Sequence, residues 1–337
     1  MPFDLQPPAA TQGPRIVALG GGHGLYASLS ALRLITDDLT AVVTVADDGG
    51  SSGRIRRELK VLPPGDLRMA VAALARDDGT HQRWAEVLQH RIGGTGGLSG
   101  HPVGNLVLTA LLEREPDPVV ALAQLGELVG VVGRVLPMSP VPLDLVAEAD
   151  RFDPEHPERI REIRGQSSIA STPGRIRSVR LLPQGAPACA AAVDAVRDAD
   201  AVVLGPGSWF TSVIPHLMLR ELSKALCSTN ARVIVNLNLV PQAGETDEYS
   251  PVDLLRVLLA HAEPFGGLSI NAVVAHLAAV PNPFELKEFV HRIGARLVLS
   301  DLREPGSADR HDPGKLSEAL REAFETTGDR EGTQAWR

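Results

Sequence analysis

Aromatic side chains and cysteine are scarce in this sequence. Phe, Trp and Tyr together make up 4% of 337 residues, and Cys189 and Cys227 are the only cysteines. Each thiol lies in an apolar helical pattern with no Cys or His at ligand spacing, which excludes a disulfide-stapled scaffold and a structural zinc site. They read as buried thiols of a reducing compartment, so the expected location is the cytoplasm. With so few rings, Ala, Val and Leu must fill the core, which suits helices packed on parallel strands better than a β-sandwich. No run reaches the roughly 18 apolar residues of a membrane span, and the N-terminal stretch lacks a basic or apolar targeting segment. A basic excess is also missing. The formal net charge is −8, so nucleic acid is not an expected partner and any anion site must be local.

What is present is a 44% hydrophobic composition, enough for one large core or two ordinary ones. A strand at 15–21, a helix at 25–35 and a strand at 39–46 make a βαβ unit. The alternation returns with strands at Ala201–Leu204, 232–237, 268–275 and 296–299, separated by helical patterns. The predicted fold is α/β, a Rossmann-like doubly wound and mostly parallel sheet with helices on both faces. Helical spacing at 67–75, 82–90, 103–112 and 119–128 places these segments over the sheet. Residues from about 131 to 182 carry prolines, an acidic stretch and two short β-prone runs, and predict a small inserted antiparallel lobe. One domain over 15–325 is expected, with flexible tails at 1–14 and 326–337.

Three glycine-rich loops follow strands of this sheet, and their carboxyl ends share one edge. In the first, Gly21, Gly22, His23 and Gly24 bring backbone N–H groups and a helix N-terminus toward an anion, or simply make a tight turn. It is neither a P-loop, lacking Lys-Ser/Thr, nor a dinucleotide fingerprint, because Leu25 stands where the third glycine belongs. In the second, Gly49, Gly50, Ser51 and Ser52 can surround phosphate oxygens. Asp47 or Asp48 can there hold Mg²⁺ or accept a hydrogen bond from a ribose hydroxyl. Arg54, Arg56 and Arg57 supply counter-charge or form a solvated helix face. In the third, Gly205, Gly207, Ser208, Thr211 and Ser212 repeat the strand, loop and helix logic.

Between these loops, Asp66 caps a helix behind Pro63-Pro64-Gly65, and Arg68 stands in its first turn without an obvious structural reason. His101 and Asn105 enter another helix as ligand contacts or caps. Asn236, Thr246 and Tyr249 offer amide, hydroxyl and ring on the same edge, suited to a base or sugar. Arg161, Arg164, Arg175, Arg177 and Arg180 read as the solvated side of a β-ribbon.

The quoted motifs run in order: Gly20-Gly-Gly-x-Gly-Leu25, Val43-Thr-Val-Ala-Asp-Asp-Gly-Gly-Ser-Ser-Gly-Arg54, Pro63-Pro-Gly-Asp-x-Arg68, His101-x-x-Gly-Asn105, Gly205-Pro-Gly-Ser-x-x-Thr-Ser212 and Gly244-Glu-Thr-Asp247. In this the chain resembles the YvcK, or gluconeogenesis factor, branch of the CofD/YvcK family. The resemblance implies binding of a UDP-sugar such as UDP-N-acetylglucosamine, with roles in cell shape, cell-wall precursor allocation and growth on gluconeogenic carbon. It attaches no firm reaction to that branch. CofD relatives are Mg²⁺-dependent 2-phospho-L-lactate transferases, which keeps a phospho-transferase as the alternative. Against it, the first loop reads Gly-Gly-Gly-His-Gly-Leu-Tyr rather than Gly-Gly-x-Gly-Gly-Ala-Arg/Lys. His23, Met69 and Trp209-Phe210 also depart from the branch's usual Thr, Asn and Leu-Tyr. The expected partners are the UDP-sugar, a second copy in a homo-oligomer such as a dimer, and regulatory proteins the sequence does not identify.

Overall fold

Strands form where Ala, Val, Ile and Leu run together. The computed structural model describes residues 13–152, 155, 156, 158–242 and 244–325. Except for Gly13 and Pro14, the tails expected at 1–14 and 326–337 lie outside the described residues. The strands are β1 (Ile16–Gly20), β2 (Leu39–Val43), β3 (Arg134–Pro137), β4 (Asp144–Asp150), β5 (Arg161–Arg164), β6 (Arg175–Leu182), β7 (Ala201–Leu204), β8 (Arg232–Asn236), β9 (Ala272–His276) and β10 (Arg296–Ser300).

Seven strands form one parallel sheet in the order β10-β9-β8-β7-β1-β2-β3. Every residue of β1, β2, β7 and β9 is buried, because helices cover both faces of the sheet. Ile16 pairs with Leu39 on one side and with Ala201 on the other. Chain order therefore reverses between β1 and β7. A crevice at the carboxyl ends of two such strands is the usual ligand position in an open α/β sheet.

The segment expected as an inserted lobe divides in two. Arg134–Pro137 joins the main sheet as its edge strand, parallel to β2, with Val135 and Leu136 buried. A run this short carries no periodicity that separates a parallel edge from a hairpin. The antiparallel lobe itself is the sheet β5-β4-β6.

Five helices frame the crevice: α1 (Gly22–Leu32), α2 (Gly50–Leu59), α3 (Pro64–Ala73), α4 (His81–Gln89) and α5 (Val103–Arg114). The first helix begins three residues earlier than its apolar spacing predicts, and the Gly-Gly-Ser-Ser-Gly run expected as a loop forms the first turn of α2. Periodicity of apolar residues locates a helix body but misses a glycine-built start.

Candidate functional site

The loops after β1 and β7 pack directly on each other. A Cβ at residue 24 would lie 2.2 Å from Pro206 O and 2.5 Å from Gly207 Cα, so only glycine admits this backbone approach. Ser28 Oγ donates to Gly205 O at 2.7 Å. Asn238 holds Gly207 from both sides, accepting from its N–H at 2.7 Å and donating to its carbonyl at 2.9 Å.

The backbone N–H groups read from sequence as an anion cradle are met by the chain's own acids. The Asp66 carboxylate lies under the start of α1 and accepts from Gly22 N–H. A Cβ at residue 21 would stand 2.6 Å from Asp66 Oδ2 and 2.5 Å from Thr44 Cγ2, so Gly21 makes room for this acid. Asp66 Oδ2 and Thr44 Oγ1 are buried with no hydrogen-bond partner. Burial, then the nearby Asp47 charge, push the Asp66 carboxyl up to about 7. Asp47 caps its own turn through Gly49 N–H at 2.9 Å. Burial raises its pKa against the bonds from Gly49 and Ser52. Gly65 N–H donates to Ser52 Oγ at 3.0 Å, so Ser52 ties α2 to the start of α3.

Asp48, expected beside Asp47 as a second metal ligand, turns instead toward the lobe. Its carboxylate accepts from Ser167 N–H at 2.9 Å. Arg56, expected as counter-charge, also leaves the crevice and bonds Asp144 at 2.6 Å, where Arg164 meets the other oxygen at 2.8 Å. These two contacts dock the lobe on the second motif.

The third loop is filled internally. Glu245, 3% exposed, accepts from Phe210 N–H at 2.7 Å and from the Ser208 hydroxyl, and Ser208 also contacts Thr211 Oγ1. Burial raises the Glu245 pKa despite these bonds. The short helix Trp209–Val213 thus has a resident carboxylate where a ligand phosphate was expected. Nothing in the sequence links position 245 with position 208; only the Gly-Glu-Thr motif marked the segment.

Arg68, His101 and Asn105 come together with Ser51. Arg68 Nε donates to Asn105 Oδ1 at 2.9 Å, and Asn105 Nδ2 donates to Ser51 Oγ at 2.9 Å. Ser51 Oγ and His101 Nδ1 share a hydrogen bond at 2.7 Å, with the donor set by the imidazole tautomer. Burial, then Arg54, lower the His101 pKa. Burial, then Arg91, lower the Arg68 pKa to about 10.

The remaining expected residues scatter. His23 is exposed on the first turn of α1. Ser212 is buried, its Oγ 3.3 Å from where a Cβ at residue 21 would sit. Gly50 stands at the N-terminus of α2 with open space around it. Asn236 is fully buried and neither polar atom of its side chain has a partner. Thr246 Oγ1 accepts from Gln242 N–H at 2.8 Å and closes its own loop. Tyr249 bonds Ile176 O, meets Phe210 edge-on at 5.3 Å and carries Arg175 over its ring. It lines a small apolar cavity with Leu237, Val240, Thr246 and Val280, and joins the 244–249 loop to the lobe. Among the described residues no group of three or more His, Cys, Asp or Glu side chains could hold a metal. No helix among them is long and apolar enough to cross a membrane.

Comparison with known proteins agrees with this arrangement. The family model described as 2-phospho-L-lactate transferase CofD matches residues 16–305. A Mycobacterium tuberculosis protein named "Putative gluconeogenesis factor" is 53% identical over 308 residues, spanning 90% of this chain and 89% of the relative. The "Gluconeogenesis factor" of Listeria innocua is 35% identical over 318 residues, 91% of this chain and 94% of its own. A crystal structure of a UPF0052 family member from Bacillus halodurans superposes with a TM-score of 0.80 at 30% identity, covering 92% of this chain and 99% of that one. Switch-point crevice, ordered glycine motifs and these matches together place the chain in the CofD/YvcK family, within its YvcK, or gluconeogenesis factor, branch.

Proposed function

We propose that the chain is a nucleotide-sugar-binding regulator that holds the diphosphate of a UDP-sugar, such as UDP-N-acetylglucosamine, with Mg²⁺ at the switch point. On this reading it acts in cell shape, cell-wall precursor allocation and growth on gluconeogenic carbon. The observation that carries the binding mode is the half-buried pair Asp47 and Asp66, with one buried and unpaired carboxylate oxygen on Asp66, at the foot of the first two glycine turns. Mg²⁺ is commonly held by one or two carboxylates and completed by phosphate oxygens and water. Two acids fit that pattern, whereas a bare diphosphate would meet like charge. Asp47 and Asp66 would hold the cation, and its charge would neutralise the phosphates. The Ser212 hydroxyl, beside Gly21, would help to orient them, while Gly22 N–H stays on Asp66.

Calorimetric titration with UDP-N-acetylglucosamine, UDP-glucose, GDP and NAD, with and without Mg²⁺, tests this. The expected result is UDP-sugar binding that needs Mg²⁺ and is lost in Asp47→Asn and Asp66→Asn. Binding of GDP but of no UDP-sugar at millimolar concentration would overturn it. The same acid pair favours a second reading, a Mg²⁺-dependent phospho-transferase acting on a nucleotide-diphosphate donor. Turnover abolished in Asp47→Asn would establish that reading.

A further inference from the structure

A buried guanidinium normally has a carboxylate partner, because an unpaired charge removed from water costs several kcal/mol. Arg68 makes no salt bridge among the described residues, and Asp66 attracts it without bonding it. It is 4% exposed, its only hydrogen bond runs from Nε to Asn105, and Nη1 is buried without a partner. Its stem is fixed as well: a Cβ at residue 104 would stand 2.8 Å from Arg68 Cδ, so Gly104 makes the slot in which the chain lies. The guanidinium is therefore held at the first turn of α5, a helix of 12 residues whose N-terminus has no side-chain cap and no acid in its first turn.

Two exposed arginines without salt bridges among the described residues lie nearby: Arg91 acts on Arg68, and Arg54, with Glu58, on His101. Arg54 donates to Ser99 O at 2.8 Å and Arg91 to Gly100 O at 2.9 Å. In a chain of net charge −8, three guanidinium groups and an uncapped helix N-terminus make a local positive site. It lies beside the Asp47 and Asp66 pair, with adjacent Ser51 and Ser52 facing one side each: Ser51 meets Asn105, and Ser52 meets Asp47 and Gly65.

We propose that Arg68 is the centre of a preformed oxyanion subsite, adjacent to the carboxylate pair, which binds a phosphoryl or carboxylate group of the ligand without a metal ion. Its planar fork matches two oxygens of such a group. Asn105 is a positioning residue that takes the Nε donor and leaves the far end of the guanidinium without a hydrogen-bond partner. The subsite extends the nucleotide-sugar reading to a second charged group of the same ligand, yet it stands without that reading.

The test is calorimetric binding of inorganic phosphate to the full chain in the presence of EDTA. Wild type should bind, with affinity falling steeply as salt rises. Arg68→Gln should weaken binding at least tenfold while the variant still unfolds in one cooperative thermal transition. Arg68→Lys should recover part of the affinity, keeping charge without the fork. Asn105→Asp places a carboxylate against the guanidinium and should abolish phosphate binding in a folded protein. Phosphate binding that persists in Arg68→Gln, or that appears only when Mg²⁺ is added, overturns the subsite and leaves the Asp47 and Asp66 reading intact. Comparing UDP-glucose with UDP-glucuronate in Arg68→Gln assigns the source: equal weakening identifies a phosphoryl group, and weakening of UDP-glucuronate alone a sugar carboxylate.

Discussion

Replacing Asp66 by Asn should stabilise the ligand-free protein above neutral pH and destroy its response to Mg²⁺. Burial and the Asp47 charge raise the Asp66 carboxyl from 3.8 to about 7. A folded-state value above the unfolded one means that the native protein holds an extra proton between those limits, so stability falls as pH rises through that window. A displacement of this size corresponds to about 4 kcal/mol at pH 8. Asn carries no charge to desolvate and its Oδ1 still accepts from Gly22 N–H. The variant's stability relative to wild type should therefore be constant below about pH 4, climb to about pH 7, and then level off some 4 kcal/mol higher. At about 2 °C per kcal/mol for a chain of this size, the melting difference should grow by about 8 °C. Scanning calorimetry of both proteins at pH 4, 5.5, 7 and 8 reads this directly. Only the difference between them isolates Asp66, since buried histidines titrate in the same range with opposite sign. Mg²⁺ should raise the wild-type melting temperature at pH 8 and leave the variant unchanged. A melting difference independent of pH would refute the claim that Asp66 is an under-compensated buried acid.

Other positions give sharper contrasts. His216 is fully buried between Val213 O and Val42 O, and burial lowers its pKa to about 4. Because its folded value lies below the ordinary histidine value of 6.5, stability is lost as pH falls from 6.5 toward 4, on the order of 3 kcal/mol; urea midpoints should show this loss in wild type and a smaller one in His216→Gln. Gly24→Ala should cost several kcal/mol, because its Cβ would meet the Pro206 carbonyl; Gly97→Ala, with open space around it, should leave the denaturation midpoint within about 0.5 kcal/mol of wild type. Glu245→Ala should destabilise by about 1–3 kcal/mol by leaving Phe210 N–H buried and unpaired, and hydrogen exchange at Phe210 should accelerate.

Much of the architecture was legible because it rests on local pattern. Runs such as Ile16–Gly20 and Ala201–Leu204 are too apolar for anything but a covered strand, and their alternation with helices dictates a parallel sheet. A glycine run after each such strand necessarily lands on one sheet edge. The antiparallel strands of the lobe were also marked by alternating arginines, two of which pair with the exposed Glu162 and the buried Asp150. Less legible was the edge strand Arg134–Pro137, whose membership of the main sheet depends on contact with β2.

The sequence by itself determined the fold class, the shared edge of the three glycine loops and the family. Only the tertiary structure decided what each charge does there. Asp47 and Asp48 are neighbours with the same chemistry, yet one faces Asp66 and the other caps a helix 119 residues away. Arg56 was a candidate for counter-charge and Arg68 had no evident role, yet Arg56 is spent on Asp144 while Arg68 is buried without a salt bridge. Backbone preference and apolar burial act over a few residues and leave a periodic trace. The partner of a charge is set by which distant segment packs beside it, and no local pattern records that choice.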